Sequence, residues 1–148
     1  MINAILHLLI FSACIGIDRL TKIWAISVCD QQWALNQYAA CDVVINRGIS
    51  WSMFDGDSSL VFLLVSLAIV IIILLFAAYI YHRIRNGWGV LPHVVVLAGA
   101  ISNMIDRVQY NGVVDFIALQ FQGYHFPIFN VADICIVLGI FALIIYEK

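Results

Sequence analysis

The sequence predicts an all-α membrane protein: four transmembrane helices, a small β-rich segment outside the bilayer and a short interfacial helix. Three observations carry this expectation. Of 148 residues, 64% are hydrophobic and 11% charged, whereas soluble domains are about half apolar and about a quarter charged. The apolar residues run in blocks of the length a helix needs to cross a bilayer, about 20 residues. The blocks show no period-two alternation, so helices, and not a closed barrel, satisfy the backbone in lipid. A net charge of −2 leaves no basic surface for nucleic acid. No linker, repeat or low-complexity tract interrupts the chain, so residues 1–148 are expected to form a single membrane domain.

The first block spans residues 4–26 and carries Asp18, Arg19 and Lys22 in its second half. The second, residues 60–81, reads "LVFLLVSLAIVIIILLFAAYIY" and holds no charge. The third, residues 90–110, carries Asp106 and Arg107 late. The fourth, residues 127–146, opens on Pro127, which suits a first helical turn because its missing N–H has no intrahelical partner there. Residues 27–59 form the β segment, in which "YAACDVVINRGISWSMF" sets β-branched and aromatic residues around a glycine. The link "HRIRNGWG" is short and basic. The segment "NGVVDFIALQFQGYHF" is expected to be the interfacial helix, with its aromatic residues at headgroup level.

Arg83, Arg85 and Lys148 fall on one side of this arrangement and Arg19, Lys22, Arg47 and Arg107 on the other, so the raw count does not decide. With the latter four set aside because they sit beside carboxylates or in motif-like runs, the positive-inside rule makes the first side cytoplasmic together with both termini. "LLIFSAC", ending at Cys14, has a small pair before a cysteine, but no Lys or Arg precedes the apolar run. It is therefore read as part of a retained first helix, not a cleaved leader.

The charges gather in one layer. At a rise of about 1.5 Å per residue, Asp18 lies roughly 12 Å from the outer end of the first helix and Asp133 roughly 9 Å from Pro127. Asp106 and Arg107 end the third helix on the same side, and Asp115 follows in the next segment. Ionisable groups at this depth usually face a protein interior or a wet cavity. Asp18 and Lys22 are i,i+4 and can pair on one helical face, a structural role. Asn103, Asp106 and Arg107 share a face, as do Asn130 and Asp133. Asp115 and Asp133 have no cation at helical spacing. Two such carboxylates brought together share a proton, because both cannot ionise easily. One then activates water while the other protonates a carbonyl or leaving group. Peptide hydrolysis is one use of such a pair. A proton-coupled transporter, with the aspartates as a relay, is the alternative, and a purely structural protein is a third. The histidines are scattered, no H-E-x-x-H occurs, and no cofactor or metal is expected.

"DRLTK" (18–22), "NRGISWSMF" (46–54), "GAISNMIDR" (99–107), "VVDFI" (113–117) and "FNVADICI" (129–136) occur in this order. Together they resemble the lipoprotein signal peptidases, the type II signal peptidases of bacteria, over nearly the whole chain. The resemblance implies a metal-independent aspartic endopeptidase of the inner membrane. Its substrate is a prolipoprotein with diacylglyceryl on the lipobox cysteine, cut just before that cysteine. The family's catalytic aspartates correspond to Asp115 and Asp133. Substrate-binding or supporting positions correspond to Asp18, Lys22, Asn46, Gly48, Asn103, Asp106, Arg107 and Asn130. Residues 27–59 correspond to an extracytoplasmic β-cradle, and the segment after Asp115 to part of an interfacial helix. Membrane lipids and the antibiotic globomycin are the further partners implied. Ser102 departs from the glycine the family often has before its asparagine.

Cys29 and Cys41 both fall in the segment placed outside the membrane, where an oxidising compartment permits a disulfide. Two free thiols remain the alternative.

Overall fold

The computed structural model describes residues 2–29, 33–48 and 59–146. Ile49–Phe54 of the second motif lie outside the described residues. Among the described residues there are four helices, α1 (Ile2–Val28), α2 (Ser59–Arg85), α3 (Leu91–Tyr110) and α4 (Val131–Tyr146). Among the same described residues four strands, β1 (Trp33–Ala34), β2 (Ala39–Asn46), β3 (Val113–Phe121) and β4 (Tyr124–His125), make one antiparallel sheet in that order. The long helices α1 and α2 are apolar and long enough to cross a membrane. The α2 face that includes Leu63, Leu64, Leu67, Ile71 and Leu74 is exposed, as lipid-facing leucines are in a protein whose solvent is hydrocarbon.

Helix α3 is central and packs against α1, α2 and α4. Its buried side includes Val94, Ala98, Gly99, Ser102, Asp106 and Arg107. Small residues let α4 come close: a Cβ on Gly99 would sit 2.5 Å from the Ala132 carbonyl oxygen. Pro92 lies in the first turn of α3, and Asn111 ends the helix in the left-handed region at φ 52°, a common way to stop a helix. The chain then turns directly into β3. Gly112 is required at this crossing, because a Cβ would meet the Ile45 side chain at 2.6 Å and the Asn46 carbonyl at 3.0 Å.

The expected interfacial helix between the third and fourth helices is not formed. That stretch is β3 and β4, joined by Gln122 and Gly123 with φ 49° and 84°. Two positive-φ residues between the paired Phe121 and Tyr124 make a two-residue hairpin turn whose twist matches that of the strands. The β-branched and aromatic content of "VVDFIALQF" suits the strand, and pairing with β2 decides the outcome. Pro127 also lies outside α4. The helix begins at Val131 because Phe129 is first tied to β3: its carbonyl accepts from Ile117 N at 2.8 Å, and its N–H donates to Ile117 O at 3.2 Å. Asp133 is therefore in the first turn of α4, nearer the helix start than its distance from Pro127 implied.

Strand β2 pairs with β3 so that Asn46 faces Val113, Val44 faces Asp115 and Cys41 faces Ile117. The register shifts between Cys41 and Val44, a bulge that re-aims side chains next to Asp115. The disulfide is formed: Cys29 and Cys41 are bridged with a Cα–Cα distance of 5.9 Å. It joins the end of α1 to β2 and packs with Ala25 and Phe116.

Candidate active site

Four chain regions meet at the end of α3 nearest the sheet. On β3, Asp115 is 4% exposed. Its Oδ2 accepts from the Asn46 amide at 3.0 Å and its Oδ1 from the Asn130 amide at 2.6 Å. Asp133 is half-buried and reciprocally caps α4 with Asn130. The Asp133 N–H donates to Asn130 Oδ1 at 2.9 Å, and the Asn130 N–H donates to Asp133 Oδ2 at 3.2 Å. This is a capping box built from Asn and Asp. Asn103 donates to Asp133 Oδ1 at 2.8 Å. Asn130 thus touches both carboxylates, one through its side-chain amide and the other through its backbone.

Every oxygen of the two aspartates is met by an amide N–H. The ion pairs among the described residues fall elsewhere: Lys22 with Asp18 and with Asp106, each at 2.7 Å, and Arg19 with Asp106. Burial pushes the Asp115 carboxyl up to about 6; the Asn46 hydrogen bond opposes this, the Asp133 charge adds to it, and Asn130 and Lys22 oppose it.

The supporting residues divide into two groups. Lys22 is fully buried. It bridges Asp18 and Asp106, and donates to Asn103 Oδ1 at 2.9 Å, so the i,i+4 pair foreseen with Asp18 is one arm of a larger cluster. Asp106 also accepts from the Val114 N–H at 3.1 Å, fixing the start of β3. Arg107 turns the other way. It donates to the Gly48 carbonyl at 2.8 Å and to Ser66 Oγ at 3.4 Å, and stacks over Phe62 at 5.4 Å. Asp106 and Arg107 therefore do not act as one polar stripe: the first binds α1 and β3, the second binds α2 and Gly48, just beyond β2. Gly48 also donates its N–H to Asn46 Oδ1 at 2.9 Å, which orients the amide of Asn46 toward Asp115.

Three participants were not singled out from sequence. Ser66 is a lone polar residue in the second apolar block, and that isolation was a usable signal. Arg19 lies one residue after Asp18, on a flank where helical spacing offered no partner. The fully buried Ser102 donates to Asp18 Oδ2 at 2.6 Å; the sequence marked it only as a departure from the family's glycine, with no partner for its hydroxyl. No group of three or more His, Cys, Asp or Glu able to hold a metal occurs among the described residues.

A family model described as signal peptidase (SPase) II matches residues 10–147. The chain belongs to the signal peptidase II family. Similar relatives include the lipoprotein signal peptidase of Clostridium acetobutylicum, 34% identical over 95% of this chain and 92% of that one. The lipoprotein signal peptidase of Pelagibacter ubique is 31% identical over 98% and 89%. A solved bacterial membrane enzyme aligns with a TM-score of 0.74 and 25% identity, over 94% of this chain and 85% of its own. Family membership makes the chain a protease, and the likeness to a membrane enzyme agrees with its exposed apolar helices.

Proposed function

We propose that this signal peptidase II is an aspartic endopeptidase in which Asp115 and Asp133 form the catalytic dyad. The signal peptide is removed from a prolipoprotein. The bond cut is the one just before the diacylglyceryl-modified cysteine. The observation that carries the reading is the pair itself: two carboxylates from β3 and α4, bridged by Asn130, held by amides and, among the described residues, in no ion pair. A dyad needs this environment. Burial and the neighbouring carboxylate favour one retained proton, whereas the amide donors and the Lys22 charge favour the ionised member. The ionised member takes a proton from water as it attacks the scissile carbonyl, and the protonated member supports the developing oxyanion and then supplies the proton to the leaving amine. The dyad titrates as a unit.

The site lies where helices meet sheet, so the scissile bond reaches the carboxylates while the substrate's acyl chains stay among lipids. We place the chain in the bacterial inner membrane with four spans, both termini cytoplasmic and the sheet on the outer side. Globomycin is expected to compete for the same groove. The transporter alternative gains nothing from the geometry, since the buried charges collect at one end of the helices and α2 contributes none in its apolar run. The test is cleavage of a lipidated prolipoprotein by purified protein in detergent. Asp115→Asn and Asp133→Asn are each expected to fold and to lose cleavage, because Asn neither takes nor gives the proton. Near-normal processing by either variant refutes the dyad.

A further inference from the structure

Ser102 stands in the middle of α3, fully buried, where a hydroxyl commonly turns back to a carbonyl of its own helix. Here it crosses the helix interface instead and donates to Asp18 Oδ2 at 2.6 Å. The same oxygen takes Lys22 Nζ at 2.7 Å. The other oxygen, Oδ1, accepts the Ala132 N–H at 2.7 Å. That N–H belongs to the first turn of α4, whose donors have no intrahelical partner. Ala132 immediately precedes Asp133. Three helices are therefore joined at one carboxylate: α3 through Ser102, α1 through Asp18 and α4 through Ala132. The joint is tight, because Gly99, one turn before Ser102, lies against the Ala132 carbonyl.

We propose that Ser102 is a positioning residue for the hydrolysis: its hydroxyl orients the Asp18 carboxylate, and Asp18 holds the Ala132 N–H and so sets the placement of Asp133. The inference rests on the reading of Asp133 as catalytic. Lys22 alone does not fix Asp18 in this way. It is shared with Asp106 and Asn103, so without the hydroxyl the carboxylate is free to follow the ammonium away from α4. Asn103, the residue next to Ser102, donates directly to Asp133. Consecutive α3 residues thus act on Asp133 by two routes, one direct and one through α1. Neither Ser102 nor Asp18 needs to touch substrate for the chemistry to depend on them, since a displacement of about 1 Å at a reacting group costs up to roughly 100-fold in rate.

The test is steady-state cleavage of a lipidated prolipoprotein by purified full-length protein in detergent. Ser102→Ala, Ser102→Cys, Asp18→Asn, the double variant Asp18→Asn/Ser102→Ala and Asp133→Asn are compared. Ser102→Ala is expected to lower kcat about 10-fold and to leave KM within about 2-fold, the pattern of lost transition-state alignment. Ser102→Cys keeps a donor at this place, weaker and somewhat bulkier, and is expected to fall between wild type and Ser102→Ala. In the Asp18→Asn background, Ser102→Ala is expected to change kcat by less than about 2-fold, because the hydroxyl acts through Asp18. A kcat at the wild-type level in Ser102→Ala overturns the proposal. So does an equal loss in the Asp18→Asn background, which marks simple packing, and so does a rise in KM alone. Should Ser102→Ala not survive purification, the kcat of Ser102→Cys decides: reduced supports the proposal and unchanged overturns it. An active Asp133→Asn removes the catalytic reading and the proposal together, whereas an inactive Asp133→Asn beside a normal Ser102→Ala removes only the proposal.

Discussion

Replacing Cys29 and Cys41 together by alanine opens the covalent link between the end of α1 and β2. The two cysteines are 12 residues apart, so the bridge closes a loop of 13 residues (12 + 1). In the chain-entropy model a loop of that size restricts the unfolded chain by about 3 kcal/mol. For a protein of this length, about 1 kcal/mol moves the melting temperature by roughly 2–4 °C, so the variant should melt roughly 6–12 °C lower. Both half-cystines are buried with Ala25 and Phe116, and alanine keeps that cluster apolar. The assay is thermal unfolding in detergent, with and without a phosphine reductant. Reduced wild type should fall to the midpoint of the variant, and reductant should leave the variant unmoved. Alkylation without reduction should label Cys14 and Cys135, the free cysteines, and spare Cys29 and Cys41. A variant melting within about 2 °C of wild type would refute the entropic argument, and label on both Cys29 and Cys41 in freshly isolated membranes would refute the bridge itself.

Lys22→Met should destabilise the protein by about 3–5 kcal/mol, because it leaves buried carboxylates on Asp18 and Asp106 short of their shared cation; detergent melts check this, and a loss below about 1 kcal/mol contradicts it. Asp115 sits above the ordinary carboxylate range, so its protonated form favours the fold, a contribution complete below that range and lost as pH rises through about 6. The Asn46 amide favours the ionised form, so Asn46→Ala should move the limb of the kcat/KM profile centred near 6 to higher pH; a downward shift in a folded variant rules this out. For topology, a cysteine replacing exposed Gln37 should react with a membrane-impermeant thiol reagent in intact cells, and one replacing exposed Asn86 should be shielded. The reverse pattern would place the dyad on the cytoplasmic side.

The apolar helices, the layer in which the charges collect and the two aspartates with no cation at helical spacing were legible in the residues alone. These are legible because hydropathy and i,i+4 spacing are local properties, and because a charge in an apolar block is costly enough to stand out. The Asp18–Lys22 pair and the Asn130–Asp133 spacing were readable for the same reason. Tertiary structure alone decided what depends on neighbours distant in the chain. "VVDFIALQF" is a strand because β2 pairs with it, although Gln122–Gly123 was a hairpin signal that an aromatic-rich interfacial reading passed over. The start of α4 moved from Pro127 to Val131 because Phe129 bonds to Ile117. Cys29 and Cys41 were a possible pair in sequence; the approach of α1 to β2 made them one. Asp106 and Arg107 share a helical face in sequence, yet their partners lie on different elements, and those partners assign their roles. Ser102 stood out in sequence only as a departure from the family's glycine: its hydroxyl acquires a purpose only where α1, α3 and α4 cross, and crossings are set by how whole helix surfaces pack, which residue spacing along one chain does not encode.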